Sequence, residues 1–242
     1  MYNRELPPEQ QGEAGHRYIL GLYDLLERIT DRYPNVLLEG CSGGGGRFDA
    51  GMLYYSPQIW CSDDTDAVER LKIQYGTSFC YPVSTVGSHV SACPNHQNGR
   101  ITPLHTRGVV AMAGTFGYEL DISKMSVQDK EEVRTQIEDY KKYFDLIQNG
   151  DYYRLTKPEA DFTAWQFVSP DQGKSLVNAV VTSARANAPD YIVRLRGLDA
   201  ESRYMEMDSG KVYQGSALMW GGYLLPKEVG EYQSYQFYFV RV

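Results

Sequence analysis

Apolar positions in the first stretch recur at helical spacing. Ile19, Leu22, Tyr23, Leu26 and Ile29 form one stripe within residues 9–30. Pro34 ends that helix, because the residue before a proline disfavours the α region. Residues 36–39 then read as a short apolar strand running into Cys41, and "PQIW" with Cys61 reads as a second. Thr65 is the expected cap of the next helix, with Asp66 in its first turn, Val68, Leu71 and Tyr75 on one face, and Gly76 at its end. "SFCYPV" is the expected third strand, "TRGVVAMAG" a helix and "FGYELDI" a fourth strand. Ser126 and Asp129 have capping-box spacing ahead of Val133, Ile137, Tyr140, Phe144 and Ile147, and Gly150 closes that helix as a C′ residue.

Short strands alternating with helices predict a parallel α/β sheet or barrel over residues 1–150. After Gly150 the texture changes. "TAWQFV", "SLVNAVVTSAR", "DYIVRLRGL", "SRYMEM", "KVYQGSALMW" and "QSYQFYFVRV" are β-rich runs between turn residues, so residues 151–242 are expected to form a small all-β sandwich. Four strand–helix units amount to half of an eightfold barrel, which would leave two strand edges unpaired. Either the sheet is open, or part of a barrel is missing.

Composition narrows the function classes. The 242 residues are 42% hydrophobic and 23% charged, enough for a core, and a formal net charge of −7 without a basic run argues against a nucleic-acid partner. Four cysteines without CxxC spacing predict reduced thiols of a cytoplasmic protein, and no apolar run reaches the length of a membrane span. Twenty tyrosines suit half-buried strand positions and also sugar-contacting clefts.

The chemistry concentrates in "LLEGCSGGGGRFDAGMLYYSPQIWCSDDTDAVERL", Leu37 to Leu71. Gly43–Gly46 after a strand could cradle phosphate, but the run ends in Arg47 and Phe48 rather than Lys-Ser/Thr, and "FDAGMLYYSPQIW" makes a poor crossover helix. The competing reading is that the glycines let a ligand approach bare backbone at a strand's C-terminal end. Asp63 and Asp64 are neighbours on an extended segment, so their carboxylates point apart. One suits acid–base work and the other an orienting bond, while the plainer reading has both charging the next helix N-terminus. Trp60 nearby favours the functional reading, since an indole beside a carboxyl is a common sugar-site pairing and can raise an acid's pKa by desolvation. Cys41 at the loop entrance has no assignable histidine partner and reads as a pocket-lining side chain. His89, Cys93 and His96 have no standard zinc spacing, and neither metal nor cofactor is expected; "VGSHVSACPNHQNGR" reads as a long loop.

"CSGGGGRFDAGMLYYSPQIWCSDDTDA" closely resembles the bacterial α-galactosidases of glycoside hydrolase family 36, and the likeness continues through "RLKIQYGTSFCYPVSTVGSHVSACPNHQ" and "TFGYELD". The resemblance implies retaining hydrolysis of terminal α-linked galactose, as in melibiose and raffinose-type sugars. It also implies the C-terminal half of a (β/α)8 barrel followed by a small all-β sandwich. By motif position Asp63 is then the general acid/base, and Cys41, Gly43, Gly44, Trp60 and Asp64 contact galactose. The family's nucleophile lies in a "KWDMN"-like motif that this chain does not contain. Asp64 and Glu39 are poorly placed to replace it, and Asp49 and Asp121 have no motif behind them. The resemblance therefore implies a chain that carries the acid/base half, is inactive alone, and oligomerises or associates with a missing N-terminal half. The competing class is a non-catalytic galactose-binding or interaction module.

Overall fold

The computed structural model describes residues 6–158, 160–227 and 230–242. Up to Asn149, helices alternate with short parallel strands. The order is α1 (Glu13–Arg32), β1 (Glu39–Gly40), a single turn α2 (Ser42–Gly45), α3 (Ala50–Tyr55), β2 (Gln58–Ile59), α4 (Ala67–Thr77), β3 (Gly87–Ser91), α5 (Leu104–Ala111), β4 (Thr115–Glu119) and α6 (Val127–Asn149). β1 pairs with β2 and β3 with β4, and a parallel bridge between Ile59 and Val86 joins the two pairs. The strands therefore neighbour one another in chain order. Side chains alternate across β3 as the pleat requires. Ser88 accepts a hydrogen bond from Gln74 of α4, and Val90 packs with Leu104 and Ala111 of α5, so Gly87, His89 and Ser91 face the opposite side.

From Asp151 onward the strands pair only antiparallel. β5 (Asp151–Arg154), β6 (Phe162–Val168), β7 (Lys174–Val181), β9 (Arg203–Glu206), β10 (Val212–Gln214) and β12 (Ser234–Arg241) form one six-stranded sheet in the order β10-β9-β12-β7-β6-β5. β8 (Ile192–Val193) and β11 (Tyr223–Leu224) pair separately. One face of the large sheet offers Trp165, Phe167, Leu176 and Val180 to Leu71, Val109, Met112, Leu146 and Ile147 of the helices. The other offers Ala164, Val177, Ala179 and Phe239 to Val193, Leu195, Leu218 and Leu225. Polar ties reinforce the junction: Thr106 of α5 donates to the Tyr232 carbonyl at 2.5 Å, and Arg154 donates to Ser78 Oγ at 2.8 Å with its guanidinium 3.9 Å from the centre of the Phe79 ring.

The first strand, expected over residues 36–39, is only Glu39–Gly40, with Val36 and Leu37 exposed, and local expectations fail in four further places, each for a physical reason. The third strand is "GSHVS", not "SFCYPV": residues 78–81 only terminate α4, and Pro82 leads into a 3₁₀ turn over Val83–Thr85. A strand buried against helices on one side and carrying Gly, His and Ser on the other has little hydrophobic signature. Asp66, not Thr65, caps α4, accepting from the Val68 N–H at 3.2 Å. Gly150 follows α6 in an extended conformation, so a left-handed C′ is not its reason; a Cβ there would run into the Leu146 carbonyl. "SALMW" turns through a π-helical segment, Ala217–Gly221. The capping box at Ser126 and Asp129 is present in full.

Candidate active site

The glycine run lies between β1 and α3 and folds against the segment that follows β2. Ser42, Gly43, Gly44 and Gly45 all have φ between 55° and 86°, a left-handed region that side chains populate at a cost. The close approach explains two of them. A Cβ on Gly44 would sit 2.9 Å from the Asp63 backbone nitrogen, and one on Gly45 would sit 3.0 Å from the Cys61 carbonyl oxygen. Gly43 has the same backbone handedness but nothing within 4 Å of its missing side chain, so it faces open space. The turn lies flush against Cys61–Asp63 and leaves an uncovered rim beside it.

Asp63 is exposed at that rim. Its Oδ1 accepts the indole N–H of Trp60 at 3.1 Å and lies 3.9 Å from the thiol of Cys41. Trp60 itself is buried, at 7% exposure. Its backbone N–H bonds the Gly40 carbonyl at 2.7 Å, which fixes the indole at the end of the β1–β2 pair. The Arg70 guanidinium stands 4.3 Å from the indole centre, and the His89 ring stacks at 4.5 Å with an interplanar angle of 13°. Trp60 therefore meets Asp63 through a polar bond rather than as an apolar wall that strips water from the carboxyl. Arg70, buried on α4, donates to the carbonyls of Ser62 (3.1 Å) and Gly87 (2.8 Å), and burial pulls its pKa below the usual guanidinium range.

The neighbouring carboxylates do other work. Asp64 Oδ1 accepts from the Asp66 N–H at 2.9 Å, and Asp66 caps α4 while pairing with Arg100 and Asn98. Asp49 caps α3 through the Met52 N–H and accepts from the Tyr23 hydroxyl. Asp121 caps the 3₁₀ turn at Ser123. Glu39 points at Gly87, its Oε1 3.3 Å from where a Cβ would stand.

A clamp that the sequence reading left as an undifferentiated loop holds this segment from the other side. Gln97 donates from Nε2 to the Asp63 carbonyl at 2.9 Å and accepts the Thr65 N–H on Oε1 at 2.9 Å, bracketing the acid's main chain. Buried Asn95 fixes Gln97 through its backbone N–H at 2.8 Å and reaches Thr65 Oγ1 at 3.0 Å. The density of amide side chains in "PNHQNGR" was the available signal. Among the described residues no group of three His, Cys, Asp or Glu side chains is placed to hold a metal ion, His89, Cys93 and His96 included, and His89 bonds Glu119 at 3.1 Å. Two surface grooves of about 710 and 700 Å³ flank residues 184–191, and Asp63 lines neither.

The family profile described as melibiase matches residues 1–150, and that of the glycosyl hydrolase family 36 C-terminal domain matches residues 162–239. The chain is 56% identical to a bifunctional α-galactosidase/sucrose kinase of Mediterraneibacter gnavus over 99% of its own length and 26% of the relative's. It is 49% identical to an α-galactosidase of Lactobacillus acidophilus, covering 99% of this chain and 33% of that protein. A family 36 α-galactosidase of Geobacillus stearothermophilus, solved with raffinose, superposes with a TM-score of 0.94 at 50% identity, covering 98% of this chain and 33% of that one. The chain thus spans about a third of these relatives' length or less. With family profiles matching residues 1–150 and 162–239, the chain belongs to the melibiase family, glycoside hydrolase family 36.

Proposed function

We propose that the chain forms the proton-delivering wall of the galactose pocket of a retaining α-galactosidase acting on terminal α-linked galactose, as in melibiose and raffinose-type sugars. The observation that carries this reading is the convergence of Trp60 and Cys41 on one oxygen of Asp63 beside a turn that keeps its side chains away. With Oδ1 held, Oδ2 of Asp63 is the oxygen that protonates the departing glycosidic oxygen and later takes a proton from water. Gly43 leaves bare backbone open to the sugar, Gly44 lets the turn close on Asp63 at the galactose subsite, Cys41 and Trp60 line and hold the subsite, and Asp64 keeps the turn that presents Asp63. Residues 1–150 then make the C-terminal half of a (β/α)8 barrel, and residues 151–242 a sandwich behind it.

Retaining chemistry needs a second carboxylate about 5 Å away. Asp49, Asp64 and Asp121 are each engaged in a cap or turn, so none serves as the attacking group. The 242-residue chain is therefore a binding and acid/base unit without turnover of its own. The apolar stripe of α1, which has no buried residue, and the uncovered edge of β1 are the surfaces on which further barrel elements seat. Among the described residues no helix is long and apolar enough to cross a membrane, and the four unpaired cysteines support a reducing, cytoplasmic setting.

Galactose titration followed by saturation-transfer NMR tests the pocket. The chain binds galactose, Trp60→Ala and Asp63→Asn weaken binding at least several-fold, and p-nitrophenyl α-galactoside is not hydrolysed. Absence of galactose binding overturns the pocket. Robust turnover abolished by Asp63→Asn overturns the inactivity.

A further inference from the structure

We propose that His89, held by Glu119, is a positioning residue whose protonation state sets the strength of the Trp60–Asp63 hydrogen bond. The proposal rests on the reading of Asp63 as the acid/base. Three contacts run in series: Glu119 Oε2 to His89 Nδ1 at 3.1 Å, the imidazole stacked on the indole at 4.5 Å, and the indole N–H to Asp63 Oδ1 at 3.1 Å.

Register brings this about. β3 and β4 run parallel with His89 opposite Gly117 and Ser91 opposite Glu119. Gly117 stands beside the His89 ring, where a Cβ would make an ordinary van der Waals contact at 3.5 Å. The imidazole is thus free to lie flat on Trp60 while its Nδ1 reaches two residues along the neighbouring strand. The His89 side chain is 22% exposed and that of Glu119 is 67% exposed, so the pair can exchange protons with solvent while the indole beneath stays dry.

A cation on the face of an indole draws on its π density and makes the ring N–H a stronger donor. Arg70 is one such cation and is permanently charged, its donors engaged by backbone carbonyls and the Cys61 sulfur. His89 is the variable one. The charged or titratable groups around it are Glu119 from β4, Arg70 from α4 on the same indole, Asp63 at the indole's acceptor, Glu39 from β1 beside Gly87, and Cys41. When His89 is protonated, Glu119 balances it and the indole N–H holds Oδ1 of Asp63 more tightly; when His89 is neutral, that grip loosens.

The indole proton reports this directly. The chain has three tryptophans, so ¹H–¹⁵N spectra of the intact chain show three indole signals, and Trp60→Phe assigns one of them. The Trp60 signal shifts between pH 5 and 8, the shift is lost in His89→Phe, which keeps a stacked ring without a charge, and Glu119→Gln alters it. The Trp165 and Trp220 signals staying in place show that each variant is folded. Glu119→Gln, on an exposed side chain, serves should His89→Phe disturb the fold. A Trp60 signal that is flat over this range, or that shifts equally in His89→Phe, overturns the proposal. A chain that shows the transition yet binds no galactose sinks the Asp63 reading and leaves the proton-linked contact standing.

Discussion

β7 and α1 are opposites. On β7, Leu176, Val177, Ala179 and Val180 have no exposure, because one sheet face meets the helices and the other meets the β8–β11 layer. On α1, a 20-residue helix with a clear apolar stripe, no residue is buried, and Leu20, Leu25 and the following Leu37 stand open to solvent. Each fully buried Val or Leu is worth about 1.5–3 kcal/mol relative to exposure. The stability of the chain is therefore concentrated around the antiparallel sheet, while α1 is held by partly exposed contacts to α3 through Tyr23 and by exposed pairs such as Arg17–Glu13, which are worth little. The candidate site lies between these extremes, anchored through Trp60 and Arg70 but open at its rim. Chemistry sits where burial stops.

The largest expected effect tests the buried side of that contrast. Phe239→Ala, at a fully buried position of β12, lowers stability by about 3–5 kcal/mol in urea unfolding. Leu20→Ala on α1 costs under about 0.5 kcal/mol in the same assay, and equal losses would break the comparison. At the site, Gly44→Ala forces a side chain into left-handed backbone against Asp63, costs about 1–3 kcal/mol, and removes galactose binding. Retained binding would show that the glycine turn is unconnected with the pocket. Ser126→Ala removes the capping box of α6 and costs about 1 kcal/mol in thermal unfolding. The smallest effect is in acid. The Ser169 hydroxyl bond, followed by the Gly173 N–H, lowers the pKa of Asp171. A lowered folded-state value means its contribution is present above the ordinary carboxylate range and is lost as pH falls through the lowered value. Ser169→Ala therefore shifts acid unfolding slightly to higher pH, visible in an acid titration by circular dichroism.

Period and punctuation made much of the architecture legible. The stripe of α1, the capping box before α6 and the β-rich texture after Gly150 all correspond to elements in place. β3 escaped because its residues divide between a helix-facing side of Ser and Val and an opposite side of Gly, His and Ser, so no apolar alternation marks it. At the site, the glycine run and Asp63 stood out as residues, whereas Gln97 did not. An amide in a polar loop gains significance only from what it brackets, and its partners lie more than thirty positions away.

The chain's own order of residues determined where most helices lie, the capping box ahead of α6, and that a bare-backbone turn precedes a pair of aspartates. Those are local matters, settled by dihedral preference and periodicity within a few neighbours. The tertiary structure alone decided that Trp60 gives its N–H to Asp63, that His89 lies on the same indole with Glu119 behind it, and that Asp64 turns inward to its own backbone. Such contacts depend on strand register and on which side of the pleat each residue meets, and both are fixed only when distant segments pack.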